Sequence, residues 1–103
     1  MNVVCLQFFV AESHLHRGKP VYEWLLDRAR ALGAHGGTAI RALAGFGRHG
    51  RRDAGFFELA GEEPVVVEFF LAPDLADALL QEAKAAGLDL AWARMAAELG
   101  TTG

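Results

Sequence analysis

Four arginines fall in one short stretch, Arg41, Arg48, Arg51 and Arg52, with no acidic residue between the first and the last. That stretch carries +4 in a chain whose net charge is −3, so the other 91 residues carry −7. A basic segment on an acidic body gathers anions locally. Gly45, Gly47 and Gly50 let the backbone turn tightly and approach a ligand. Backbone N–H groups and a guanidinium fork together suit a phosphate or a carboxylate. The competing reading is a solvated surface loop whose arginines only keep it soluble. The same glycines match G-x-G-x-x-G, but the dinucleotide motif needs a helix directly after it and a parallel sheet around it. Arg48 to Phe56 has no helical period, so that reading is rejected.

Other reactive side chains are sparse. His14, His16, His35 and His49 include no i, i+4 pair on a helix, so a metal site would have to assemble from separate segments or subunits. Exposed loop histidines are the simpler reading. Ser13 is the only serine and no nucleophile elbow surrounds it. Cys5, the only cysteine, sits in an apolar run and reads as a small packing residue. Glu62 and Glu63 form a solvated turn pair. Glu68, inside PVVVEFF, needs a partner, for which Arg41 or Arg94 across the sheet are the expected choices. Trp24 and Trp92 read as core or interface anchors, and Phe56-Phe57 as anchors for the returning end of the loop. Nothing here supports an enzyme.

These residues need elements to hold them. MNVVCLQFFV is apolar in both alternating sets, which predicts a strand covered on both faces. Glu12 to Gly18 reads as a polar loop. Lys19-Pro20 opens a helix with Val21, Leu25, Ala29 and Leu32 in one stripe, stopped by Gly33. A second strand runs from Thr38 to about Ala44. Gly45 to Glu58 shows no period, and irregular segments of that length in a compact domain are functional or disordered. Pro64 to Leu71 is a third strand. Pro73 to Ala86 is a second helix with Leu75, Leu79, Ala83 and Ala86 as its stripe, ended by Gly87. Leu88 to Met95 is the fourth strand.

The order β-α-β-β-α-β predicts an α+β, ferredoxin-like domain: a four-stranded antiparallel sheet with two helices on one face. One domain, residues 1–103, accounts for the length. The composition, 52% hydrophobic and 22% charged, is too apolar for a disordered tail. The acidic balance excludes a general nucleic-acid binder. The longest apolar run, Pro64 to Ala72, contains Glu68 and is too short to span a bilayer. A lone cysteine and the lack of a signal-peptide pattern point to a reducing, cytoplasmic setting. Two helices cover one side of a sheet whose strands are apolar on both, so the open face is expected to pack on other copies in a closed ring.

GKPVYEWLLDRARALGAHGGTAIRALAGFG, Gly18 to Gly47, resembles a PII-like protein family of largely unknown function with a GKPxYE and GFG pattern, and PVVVEFF matches its next segment. The resemblance implies a ferredoxin-like homotrimer with three intersubunit clefts. It implies a T-loop-like flexible segment at about residues 46–58, through which a partner, a membrane transporter or channel or an enzyme, is regulated. In PII proteins a GFGRQ segment at the loop base helps hold ATP or ADP. Gly45, Phe46, Gly47 and Arg48 match it, with His49 in place of Gln; Gly36, Gly37 and Thr38 match the G-x-T before strand two, one residue further away. The ligand residues it implies are Gly37, Thr38, Gly45, Gly47, Arg48 and His49, and the partner-binding loop residues are Arg51, Arg52 and Phe56. Two further phosphate-gripping elements of PII proteins lack counterparts. Ala85-Ala86-Gly87-Leu88 leads straight to the last strand, and Arg94 is the one arginine near the C-terminal end.

The expected function is therefore a non-enzymatic signalling regulator that binds an adenine nucleotide or another anionic metabolite, with no cofactor or resident metal. A smaller anion, an AMP-like ligand or no nucleotide at all stay open. The alternative is a metal-binding trimer similar to divalent-cation-tolerance proteins, using His14, His16, His35 or His49.

Overall fold

The computed structural model describes residues 1–46 and 63–103. The chain runs β1 (Asn2–Ala11), β2 (Leu15–His16), β3 (Lys19–Pro20), α1 (Val21–Leu32), β4 (Gly36–Arg41), β5 (Pro64–Leu71), α2 (Pro73–Ala85) and β6 (Ala91–Glu98). β4, β5, β1 and β6 form one antiparallel sheet in the order β4-β5-β1-β6, and β2 and β3 form a separate hairpin. The expected ferredoxin-like α+β fold is the one observed. Most of the expected T-loop-like segment lies outside the described residues.

Alternation along β1 and β5 sets which side chains meet the helices. Leu6, Phe8 and Val10 of β1 and Val65, Val67, Phe69 and Leu71 of β5 are buried with Val21, Leu25 and Ala29 of α1 and Ala76 and Leu79 of α2. Phe8 and Phe69 meet edge to face, with ring centroids 6.3 Å apart at 73°. The α1 stripe is as expected, with Leu32 half-buried against the core. In α2 the sequence pattern missed Ala76, which is fully buried. It is small enough to let the helix lie close on the sheet.

Both helices end in the same way. Gly33 has φ 100°, Gly33 N donates to Arg30 O at 3.1 Å and Ala34 N to Ala29 O at 3.0 Å. Gly87 has φ 77°, its N donates to Lys84 O at 3.0 Å and Leu88 N to Ala83 O at 3.0 Å. These paired bonds cap the last carbonyls and need a left-handed residue, which glycine supplies without a Cβ clash.

Several boundaries differ from the sequence reading. Glu12 to Gly18 is no plain loop: it contains most of a two-residue hairpin whose turn, Arg17-Gly18, has positive φ at both positions. That turn delivers Pro20 to the start of α1, where Trp24 meets His16 edge to face. β4 begins two residues earlier and ends three earlier than expected, because Gly36 already pairs with Phe70 and Ala42 makes the last bond, to Pro64 O at 2.9 Å. β6 starts at Ala91, since Gly87 and the three residues after it are used in leaving the helix.

The other sheet face has no helix on it. Cys5, Gln7 and Phe9 of β1 and Val66, Glu68 and Phe70 of β5 lie there by register, with Thr38 and Ile40 of β4 at one side and Ala93 and Met95 of β6 at the other. Ile40 and Met95 are about half exposed. The predicted second apolar face is present, interrupted by Gln7, Glu68 and Thr38. No helix is long and apolar enough to cross a membrane.

Candidate functional site

Along its free edge, β4 reads GGTAIR. Gly37 is on the helix side, where a Cβ would stand 2.9 Å from two ring carbons of Phe69 and 3.4 Å from Leu26 Cδ2. The residue is glycine because the strand presses directly on a buried ring. Beside it opens a cleft of about 390 Å³, lined by Leu26, Asp27, Ala29, Arg30, Ala34, His35, Gly36, Gly37 and Phe69. Its floor is apolar and its wall is backbone. Arg30 and His35 stand at it without an ion pair among the described residues, whereas Asp27 is paired with Lys19. Such a cleft suits a flat apolar group joined to an anion.

Arg41 closes the other end of β4. Its Nη2 and Nε donate to the two carboxylate oxygens of Glu12 at 2.7 and 3.0 Å, and Nε lies 3.1 Å from Glu63 Oε1. Glu12 N also donates to Glu63 O at 2.9 Å. The end of β1, the end of β4 and the start of β5 are thus fastened together where the long segment leaves and returns. The Arg41 guanidinium, and then Glu63, hold the Glu12 carboxyl below its ordinary range; Arg41 is raised by Glu12. A depressed carboxyl keeps this clasp charged above the ordinary glutamate range and releases it only as the pH falls through the lowered value.

This placement changes the charge reading. Arg41 is neutralised by two carboxylates and leaves the basic cluster; Glu63 is exposed, as expected, and is also a partner in that clasp. Glu68 pairs with neither expected arginine: Gln7 Nε2 donates to Glu68 Oε1 at 2.9 Å. Arg94 is on the opposite face, bonded to Asp77 Oδ1 at 2.6 Å and Pro73 O at 3.2 Å. The register explains the difference, since Glu68 faces away from the helices while Arg41 and Arg94 face towards them.

Of the candidate ligand residues, Gly37 lines the cleft. Thr38 follows on the opposite face, across from Glu68. Gly45 and Phe46 are exposed at the end of the described segment. Gly47, Arg48 and His49, and the loop residues Arg51, Arg52 and Phe56, lie outside the described residues. Arg30 was missed as a site residue, although its place in the last turn before Gly33 is a sequence signal: the turn swings the chain back, so the helix end and the strand start meet. Among the described residues, no three of His, Cys, Asp or Glu come together in a way that could hold a metal ion.

Cys5 is buried on the open face. Burial, and after it the charge and hydrogen bonding of Glu68, push its thiol above the ordinary value. Cys5 in the folded protein is therefore expected to react far more slowly with a thiol probe at mildly alkaline pH than in urea. Equal rates in the two conditions would contradict this placement.

Helices on one side of a β4-β5-β1-β6 sheet define a ferredoxin-like fold. Residues 3–89 match the DUF190 family (Uncharacterized ACR, COG1993), and the chain belongs to that family. A UPF0166 protein of Aquifex aeolicus (strain VF5) is 38% identical over 80 residues, 77% of this chain and 76% of the relative. CPII from Thiomonas intermedia K12, solved bound to ADP, AMP and acetate, has a TM-score of 0.68 at 14% identity, covering 97% of this chain and 90% of that chain. The same protein bound to ADP and bicarbonate has a TM-score of 0.66 at 17% identity, covering 98% and 91%.

Proposed function

We propose that this protein is a PII-like signalling regulator and not an enzyme. It forms a homotrimer through the open sheet face and binds an adenine nucleotide, or another small anion, in clefts completed between subunits. The observation that carries the reading is the cleft at Gly36-Gly37: an apolar floor on Phe69, a glycine wall, and an arginine and a histidine at an unpaired strand edge. The edge leaves room for a neighbouring copy to close the site. The CPII structures, bound to ADP and AMP on the same fold, support the choice of adenine nucleotide.

Arg48, at the GFGR base of the long segment, completes the anion site in this reading, with Gly45, Gly47 and His49 beside it. The ligand orders that segment, and Arg51, Arg52 and Phe56 then meet or release a partner protein, a transporter, channel or enzyme in the cytoplasm. A differential affinity of a few kcal/mol between loop states suffices for such a switch. Isothermal titration of the full chain with AMP, ADP and ATP tests it. At least one is expected to bind, and Arg48→Ala to weaken binding by about 1.5–3 kcal/mol, as for a hydrogen bond to a charged group. Absence of heat with all three removes the nucleotide reading; unchanged affinity in the variant removes Arg48 from the site.

A further inference from the structure

The sheet edge opposite β4 carries a second groove. α2 rests on β1 and leaves the edge strand β6 open beside it. Between them lies a cleft of about 320 Å³, with Phe8, Leu80, Leu88, Leu90 and Trp92 as its apolar walls. Phe8 is buried, but Trp92, its register partner on the helix side, is 50% exposed. The Arg94–Asp77 pair bridges strand and helix along the groove, and the chain from Gly87 to Leu90 bounds its far end. Asp77, Gln81 and Lys84 recur at i, i+4 and i+7, so they share one face of α2. Asp77 is taken by Arg94. Lys84 and Asp89 are exposed at the same groove, and neither makes an ion pair, with the other or elsewhere, among the described residues. One cation and one anion thus stand unmatched over an apolar wall.

We propose that this groove binds a free α-amino acid with an apolar side chain. Lys84, with the Gln81 amide, takes the carboxylate. Asp89 takes the ammonium, which the C-terminal end of α2 also attracts. The ligand side chain lies on Trp92 and Leu90. A ligand of one sign would leave one of the two protein charges unmatched, and a purely apolar one would leave both, so the groove selects a zwitterion. The site needs neither a second copy nor a nucleotide. It lies at the other edge of the sheet from the Gly37 cleft.

Titration of the full chain with L-leucine, L-methionine and L-phenylalanine, followed by tryptophan fluorescence, tests this. At least one is expected to give a saturable change that Trp92→Phe removes and Trp24→Phe keeps. The decarboxylated amine and the deaminated acid of that amino acid are each expected to bind about tenfold or more weakly, because each loses a charge-assisted hydrogen bond. Lys84→Met and Asp89→Asn are expected to weaken the amino acid by the same factor. The amine should bind Lys84→Met as it binds the wild type, and the acid should bind Asp89→Asn likewise, which a general loss of structure would not allow. No saturable change with any of the three amino acids overturns the site and leaves the nucleotide reading standing. Analogues that bind as tightly as the amino acid, or unchanged affinity in either charge variant, overturn the zwitterion assignment. Should AMP or ADP give the Trp92-dependent change instead, the groove belongs to the nucleotide and the proposal falls.

Discussion

Phe69→Ala is expected to lower the folding free energy by about 3–5 kcal/mol, the usual cost of emptying a phenylalanine site in a core. Phe69 is 1% exposed in the middle of β5, where it makes the edge-to-face contact with Phe8 and floors the Gly37 cleft. Its neighbours come from both strands and from α1, so the hole cannot be closed by moving one side chain. Urea unfolding followed by circular dichroism should show a lower midpoint at an unchanged slope. The control is one residue along. Phe70 points to the open face and is half-buried, so Phe70→Ala should cost the isolated fold less and self-association more. Equal folding losses at the two positions would mean that the sheet faces have been assigned the wrong way round.

Gly37→Ala should cost about 1–3 kcal/mol, in the range for overpacked core sites. The added methyl would stand 2.9 Å from the Phe69 ring, a separation that forces the ring or the strand to move. The ring is held by the core, so the edge strand gives way, and the cleft changes shape with it. Reducing the ring should relieve the strain. In a double-mutant cycle, Gly37→Ala with Phe69→Leu is expected to recover about 0.5 kcal/mol or more relative to the sum of the single changes. Additive losses would show that the methyl is accommodated elsewhere. Any ligand of the cleft should bind Gly37→Ala more weakly, because Gly37 is part of the wall.

The pattern of apolar residues carried most of the fold. Val21, Leu25 and Ala29 at helical spacing, the alternation of PVVVEFFL and the stops at Gly33 and Gly87 are local signals, and the structure uses each of them. Ends of strands were less legible. Thr38 to Ala44 reads as a uniform strand, but pairing ends where β5 begins at Pro64, a non-local fact. The partners of charged residues were the least legible. Arg41 and Glu68 are both expected in the sheet, and only the register shows that they lie on opposite faces, one held by Glu12 and Glu63 and the other by Gln7. The GKPVYE and GFG resemblance brought the family, and Gly37 with it. Arg30 was missed as a site residue because its relation to Gly37 is made by the turn at Gly33, the one signal that pointed to it, rather than by spacing.

The two outer ribbons of the sheet are also protected against runaway polymerisation. β4 offers six residues, begins with two poor strand formers and finishes on a charged arginine; β6 offers eight and carries Arg94 and Glu98. Short length, glycine and charge discourage strand-by-strand accretion into fibrils. Engineering that swaps Gly36 and Gly37 for β-branched residues, as a route to a stiffer sheet, would therefore trade solubility for a template on which amyloid can grow.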